Sequence, residues 1–268
     1  MKITIPRQKD FKKFYELAAA EGWCVPQIER KLFEGIWARY ARALILNGQF
    51  CGLVTFVPHQ KSAWIGNLLV PAYLRGKGYG GHLFSTAQQE LKRSGTTSIW
   101  LTASALGQPI YEKAGFSVVA QIDRWTLPAG STCPNPEITA QKQVLLQADN
   151  SAWQEDRCSF LALVAESGKV FAVDGEVALL QKGTDLQTIG PWYARAESSC
   201  DRLLKKLLCS VDPNLELIID LFSESPLRPH LIEAGFAFSG SNQLMAKGDY
   251  ETVNLGEMVA LASLGSIG

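Results

Sequence analysis

A chain of 268 residues with 47% apolar and 19% charged side chains has the composition of a folded globular protein, long enough for one large or two medium domains. Its 26 basic and 26 acidic residues cancel, and no Lys/Arg cluster interleaves with aromatics, so a nucleic-acid footprint is excluded. No apolar run reaches the ~18 residues of a membrane span and Met1-Lys2-Ile3-Thr4-Ile5-Pro6-Arg7 lacks a signal-peptide core, which points away from membranes and to the cytoplasm.

Read in chain order, the first half predicts a strand at Ile3–Ile5 and helices at Asp10–Ala20 and Gln27–Ala38. Strands follow at Ala41–Leu46, Phe50–Val57 and Ser62–Val70, the first two joined at the hairpin signal Asn47-Gly48. A helix over Gly80–Arg93 has Leu83, Phe84, Ala87 and Leu91 on one face. After it come a strand at Ser98–Leu101, a short helix at Gln108–Lys113 and a strand at Phe116–Trp125. Three prolines in Pro128-Ala129-Gly130-Ser131-Thr132-Cys133-Pro134-Asn135-Pro136 exclude regular structure there, so the expected division is a domain over 1–127, a linker over 128–137 and a second domain over 138–268. Residues 1–137 carry 16 Lys+Arg against 9 Asp+Glu, and residues 138–268 carry 10 against 17. A basic half suits a polyanionic ligand. The six cysteines form no C-x-x-C pair and have no histidine partners at zinc spacing, so no metal is expected; Cys24, Cys51, Cys158 and Cys209 read as small core residues.

The most informative stretch is Arg75-Gly76-Lys77-Gly78-Tyr79-Gly80-Gly81, soon after the apolar Leu68-Leu69-Val70. A strand, a glycine-crowded turn and a helix starting at the last glycine make an anion site from backbone, because a helix N-terminus has unpaired N–H groups and the positive end of its dipole. Gly76-x-Gly78-x-x-Gly81 also fits a dinucleotide fingerprint, but the region about 20 residues on, Ser98-Ile99-Trp100-Leu101-Thr102-Ala103, has no carboxylate for a ribose. A P-loop is excluded because His82-Leu83 stands where Lys-Ser/Thr is required. The plain alternative is a glycine turn that only lets strand and helix pack.

The glycine run, answered about thirty residues later by Tyr111-Glu112-Lys113-Ala114-Gly115-Phe116, resembles the GCN5-related N-acetyltransferase family. The resemblance covers residues 1 to about 126 and implies an α/β fold with a mixed, mostly antiparallel central sheet flanked by helices. It implies acetyl-coenzyme A as co-substrate and a primary amine, on a small molecule or a protein, as acceptor, with direct attack in a ternary complex. Carried over residue by residue, Leu68, Leu69 and Val70 would pair with the pantetheine arm, and Arg75, Gly76, Lys77, Gly78, Tyr79, Gly80 and Gly81 would cradle the pyrophosphate. Ser104 stands where the family pattern has a cofactor-contacting Asn. Tyr111 would be the general acid, since a phenol with a pKa of about 10 is protonated at neutral pH. Trp23, Glu21 and Asn67 are the candidate acceptor-binding residues. No base announces itself: Glu21, Glu34 and His59 are candidates, and relay through water is an equal account. Two rival readings are a non-catalytic acetyl-coenzyme A sensor or scaffold and an acyltransferase for longer acyl chains. A monomer or a homodimer is equally compatible.

The second half repeats the scheme weakly. Ile189-Gly190 follows Ile65-Gly66 by 124 residues, and Ala234-Gly235-Phe236 follows Ala114-Gly115-Phe116 by 120. Strands are expected at Val170–Val173, Val177–Gln181 and Glu216–Leu221, with a helix near Ala196–Cys209. This half resembles the degenerate C-terminal copy of tandem bacterial acetyltransferases. It has no glycine between Ala194 and Cys200 and an apolar Leu231 where Tyr111 would fall, so no second cofactor site is expected. The second half is expected to supply part of the acceptor cleft, so a fragment ending near Pro134, if soluble, is expected to keep acetyl-coenzyme A binding and lose acceptor affinity.

Overall fold

The computed structural model describes residues 1–130, 139–195 and 200–268. Most of the expected linker, with Cys133, and the middle of the glycine-free Ala194–Cys200 stretch lie outside the described residues. Two units divide the chain: residues 1–101 with 265–267, and residues 102–264 with 268.

The first unit runs β1 (Lys2–Thr4), α1 (Gln8–Ala20), α2 (Gln27–Glu34), β2 (Ala41–Leu46), β3 (Gln49–Pro58), β4 (Ser62–Leu69), α3 (Tyr79–Arg93) and the start of β5 (Ser98–Ala103). Its sheet order is β1-β2-β3-β4-β5, antiparallel except for the parallel β4–β5 pair. Asn47 and Gly48 both take positive φ, 49° and 80°, the geometry that lets a two-residue hairpin follow the twist of its strands. At the start of α1 the Asp10 carboxylate accepts the Arg7 N–H at 2.9 Å, and Phe11, Phe14 and Ala18 bury one face at helical spacing. The helix expected over Gln27–Ala38 ends at Glu34 because Gly35 follows; a single 3-10 turn, Ala38–Tyr40, leads into β2. Leu83, Phe84, Ala87 and Leu91 of α3 are all buried, the two leucines and the phenylalanine each worth about 1.5–3 kcal/mol as an upper estimate.

The second unit continues with α4 (Gln108–Lys113), β6 (Ser117–Leu127), α5 (Lys142–Trp153), α6 (Cys158–Ala165), β7 (Gly168–Val173), β8 (Glu176–Gln181) and β9 (Leu186–Tyr193). It ends with α7 (Asp201–Leu208), β10 (Glu216–Phe222), α8 (Arg228–Glu233), β11 (Ala237–Gly248) and β12 (Met258–Ala260). Strand β6 is hydrogen-bonded on both sides, to β11 from Thr126–Ala237 to Ser117–Ala246 and to β10 from Leu127–Leu217 to Ile122–Phe222. A bidentate Arg124–Asp220 pair, 2.7 and 2.8 Å, locks the β6–β10 register. That double pairing is why the spatial division falls at 101/102 and not in the proline-rich 128–137 segment. Strands β10, β9, β8 and β7 continue the sheet, β10–β9 being parallel. One core joins Leu203, Leu204 and Leu207 of α7 with Trp192, Leu227, Leu231 and Phe236.

Cys51 and Cys200 are buried, but Cys24 is exposed and Cys158 and Cys209 are half-buried, which corrects the expectation that Cys24 is a core residue. Among the described residues no group of His, Cys, Asp and Glu has the arrangement of a metal site, and no helix is long and apolar enough to cross a membrane.

Candidate active site

Strand β4 carries an irregularity at its centre. Leu53 pairs with Leu69 and Thr55 with Gly66, so β4 has one residue more than β3 between these pairs. Asn67 absorbs the extra step with φ of +51° and is buried. This is a β-bulge, which bends a strand and ends its pairing. The parallel ladder with β5 runs from Ser62–Ser98 to Trp64–Trp100 and stops there. Beyond Trp64, β4 therefore presents backbone on its β5 side up to Leu68, Leu69 and Val70, a segment to which an extended ligand can add as a strand.

The turn after β4 leads into α3. Gly78 is the N-cap, with φ of +81°, no side chain caps the helix, and no acidic residue lies in its first turn. The helix begins at Tyr79, one residue before the expected start. Its leading N–H groups and positive dipole end are thus left for an external anion. Gly76 and Gly78 need glycine for their positive φ, but Gly80 and Gly81 do not. A Cβ on Gly81 would meet nothing within 4 Å, and one on Gly80 only Val70 Cγ2 at 3.8 Å. Packing of the chain against itself does not require these two glycines. A ligand that approaches the helix N-terminus closely does, so the cradle fits a diphosphate. Arg75 behaves otherwise than expected: its Nε donates to the Val70 carbonyl at 3.0 Å and its guanidinium pairs with Glu21 at 2.6 Å. It braces the loop, and Glu21, expected at the acceptor, is its partner. Lys77 is exposed and Tyr79 half-buried.

Tyr111 belongs to the second unit. It sits in α4, whose exit is held by two backbone bonds, Gly115 N–H to Glu112 at 2.9 Å and Phe116 N–H to Tyr111 at 3.0 Å, with Gly115 at φ +84°. These are the two bonds of a Schellman ending, and the Tyr111 and Phe116 rings lie 6.3 Å apart across it. Lys247 of β11 donates to the Ala114 carbonyl at 2.7 Å and satisfies the negative end of the helix. On the other side, a Cβ on Gly107 would stand 3.2 Å from the Tyr111 ring and 3.6 Å from Ser104 Oγ. Gly107 therefore makes room for the ring. Burial pushes the Tyr111 phenol up to about 12, so it is a proton donor throughout the physiological range. Ser104 is exposed; its carbonyl accepts the N–H groups of Gly107 and Gln108, both at 2.9 Å, and so builds the turn that precedes α4.

In the second half, strands β9 and β10 run parallel through Ile189–Ile219, as β4 and β5 do through Trp64–Trp100. Past that point β12 enters: Ala260 pairs with Trp192 of β9 on one side and Leu221 of β10 on the other. A Cβ on Gly190 would overlap the Leu261 carbonyl oxygen and stand 2.9 Å from its carbon. The gap between the parting strands is filled by the chain itself.

Trp23 is 40% exposed, which leaves it available as a contact surface. Glu34 is exposed at the end of α2. Sequence reasoning missed Glu29. It is fully buried on α2 and accepts a hydrogen bond from Ser266 Oγ; burial first, then Glu34 and Glu29, push the Tyr15 phenol far up. Its signal was available: Glu29 shares the inner face of α2 with Leu32 and Phe33 at 3–4-residue spacing.

Residues 9–116 match the model of the Acetyltransferase (GNAT) family. The whole chain has the fold of a putative acetyltransferase from Pyrococcus horikoshii, at 18% identity, TM-score 0.80, covering 99% of this chain and 95% of that one. A GCN5-related N-acetyltransferase from Sphaerobacter thermophilus is similar at 14% identity and TM-score 0.66, covering 96% and 98%. No curated protein matches the chain.

Proposed function

We propose that this protein is an N-acetyltransferase that moves an acetyl group from acetyl-coenzyme A to a primary amine, with one cofactor site per chain, in the first half. The observation that carries the reading is the turn into α3, where Gly80 and Gly81 serve no packing need of their own and an uncapped helix N-terminus faces outward. A diphosphate is the ligand such a turn takes. Acetyl-coenzyme A supplies the activated acyl group. The Leu68–Val70 backbone holds the pantetheine arm and orients the thioester, and such positioning is worth roughly 7–11 kcal/mol of barrier. The amine nitrogen attacks the carbonyl carbon and the carbon–sulfur bond breaks. The Tyr111 hydroxyl donates a proton to the departing sulfur, and the proton lost by the attacking nitrogen passes through water, which restores the phenol. The second half is read as a duplicated copy whose strand gap is closed by β12, which leaves no place for a second pantetheine.

Two measurements test this. Titration calorimetry with coenzyme A is expected to give one equivalent per chain; two equivalents would refute the account of the second half. An acetyl-coenzyme A consumption screen over an amine panel is expected to find an acceptor. Tight cofactor binding with no consumption over the whole panel would favour a sensor.

A further inference from the structure

We propose that residues Gly265–Ile267 form a strap over β4 that, latched to Glu29, determines which amine reaches the thioester. The proposal rests on the acetyl-transfer reading, since it gives the strap meaning through its place beside the bulge. Gly66 immediately precedes that bulge. A Cβ on Gly66 would overlap the Gly265 carbonyl oxygen and stand 2.7 Å from Ser266 Cα. Backbone thus lies directly on backbone, with no side chain between. Trp64 Nε1 donates to the same Gly265 carbonyl at 3.3 Å, and Ser266 Oγ donates to Glu29 Oε2. Ser266 and Ile267 are fully buried.

Two features make this more than a packed loop end. The strap meets β4 at the residue before Asn67, just past the last β4–β5 pair at Trp64–Trp100, so it borders the backbone on which the thioester is held. Oxygens also converge beside it: the position of a Cβ on Gly265 is 3.1 and 3.3 Å from the Glu29 carboxylate oxygens and 3.6 Å from Asn67 Oδ1. That corner is negative and rich in acceptors, the chemistry that selects an ammonium group over a neutral or anionic one. A buried carboxylate is tolerated only when it is hydrogen-bonded, and the Ser266 hydroxyl supplies one such bond and fixes its direction. In this proposal the strap borders Asn67 on one side and Glu29 supplies the carboxylate beside it.

The test compares selectivity, because a merely structural strap would slow all acceptors alike. Wild type, Ser266→Ala, Glu29→Gln and Gly66→Ala are assayed with spermidine, lysine and a glycyl dipeptide as amines, and coenzyme A affinity is measured for each by calorimetry. The expected result is that the ratios of kcat/KM among the three amines shift at least about tenfold, mainly through KM, while coenzyme A affinity stays within about threefold. Glu29→Gln is expected to reduce the preference for spermidine, the most positively charged of the three, most. Gly66→Ala is the variant with most risk to folding; Ser266→Ala removes only a hydroxyl and keeps the test decisive. Unchanged ratios in folded Ser266→Ala and Glu29→Gln would overturn the strap proposal and leave acetyl transfer standing. A wild-type chain that takes up no coenzyme A would overturn the acetyl-transfer reading and the strap proposal with it.

Discussion

The turns that close α4 and α8 have one frame and different fillings. Each helix has six residues with Pro109 or Pro229 in its first turn, and each exits through Ala-Gly-Phe with the glycine at φ +84° or +89°. In the second turn Gly235 N–H bonds Ile232 at 3.0 Å and Phe236 N–H bonds Leu231 at 2.9 Å, the same pair of bonds that holds Gly115 and Phe116. At the shared position one turn holds Tyr111 over Gly107, and the other holds Leu231, fully buried with Leu227 in the second unit's core. The motif Tyr-Glu-Lys-Ala-Gly-Phe therefore carries two kinds of information. Ala-Gly-Phe is backbone geometry, needed wherever a short helix must stop and a strand begin, and it says nothing of chemistry. The hydroxyl at 111, and the missing side chain at 107 that accommodates its ring, are what separate the two turns.

The largest expected effect bears on which half takes the cofactor. Gly80→Val places a branched side chain at the α3 N-terminus, and coenzyme A affinity is expected to fall at least about 100-fold with the fold kept, since valine costs a helix only about 0.5 kcal/mol. Calorimetry beside a circular dichroism melt checks both parts. Affinity that survives would return these glycines to the rank of a packing turn.

Next comes the residue that differs between the turns. Tyr111→Phe keeps the ring and removes one donor, so turnover is expected to drop roughly 100-fold with cofactor affinity unchanged. The contrast is Leu231→Ala, which is expected to cost about 2–5 kcal/mol of stability and to leave turnover per folded molecule within about twofold. A comparable rate loss from both would erase the distinction drawn here. The pH profile sharpens it further. Because burial raises the Tyr111 phenol to about 12, its protonated form persists at every lower pH. Any fall in kcat between pH 8 and 10, below the raised value of the phenol, would assign the donor to another group.

A smaller effect is expected from Gly107→Ala. The new Cβ stands 3.2 Å from the Tyr111 ring, which must give by a few tenths of an ångström. A loss of about three- to tenfold in kcat follows, because misplacement of a reacting group by less than 1 Å is costly. Smallest is Lys247→Met, which removes a cation from the Ala114 carbonyl at the end of α4. About 0.5–1.5 kcal/mol of stability and a two- to threefold drop in kcat are expected, restored by Lys247→Arg.

Much of the first half was legible because its signals are local. The apolar stripe of α3, the Asn47-Gly48 hairpin and the glycine turn each occupy a few consecutive residues, and each stands where the periodicity places it. What was not legible depends on distant partners. Strand β12 is three residues long, too short for an alternating pattern, and its place between β9 and β10 is set by Trp192 and Leu221, 68 and 39 positions before Ala260. Helix α6, Cys158–Ala165, is apolar on all sides and shows no helical period. The inner face of α2 marks Glu29 as buried, but its partner Ser266 lies 237 residues on and nothing local announces it. The same holds for Glu21, whose partner Arg75 lies 54 residues on.

The double pairing of β6 changes what a shortened chain would be. A fragment cut near Pro134 keeps the eleven residues Ser117–Leu127 but loses both β10 and β11, so each edge of that strand is stripped of its hydrogen bonds. Bare edges on a strand rich in Val, Ile and Trp are templates for intermolecular pairing, so such a fragment is a poor vehicle for isolating cofactor binding. The proline-rich segment of the sequence is better used as the place for a nick. Co-expressed as two pieces, residues 1–130 and 139–268 would have strand β6 of the first as the missing strand of the second. Fragment complementation, scored by recovery of a soluble pair where each piece alone precipitates, would turn that strand into a reporter of assembly.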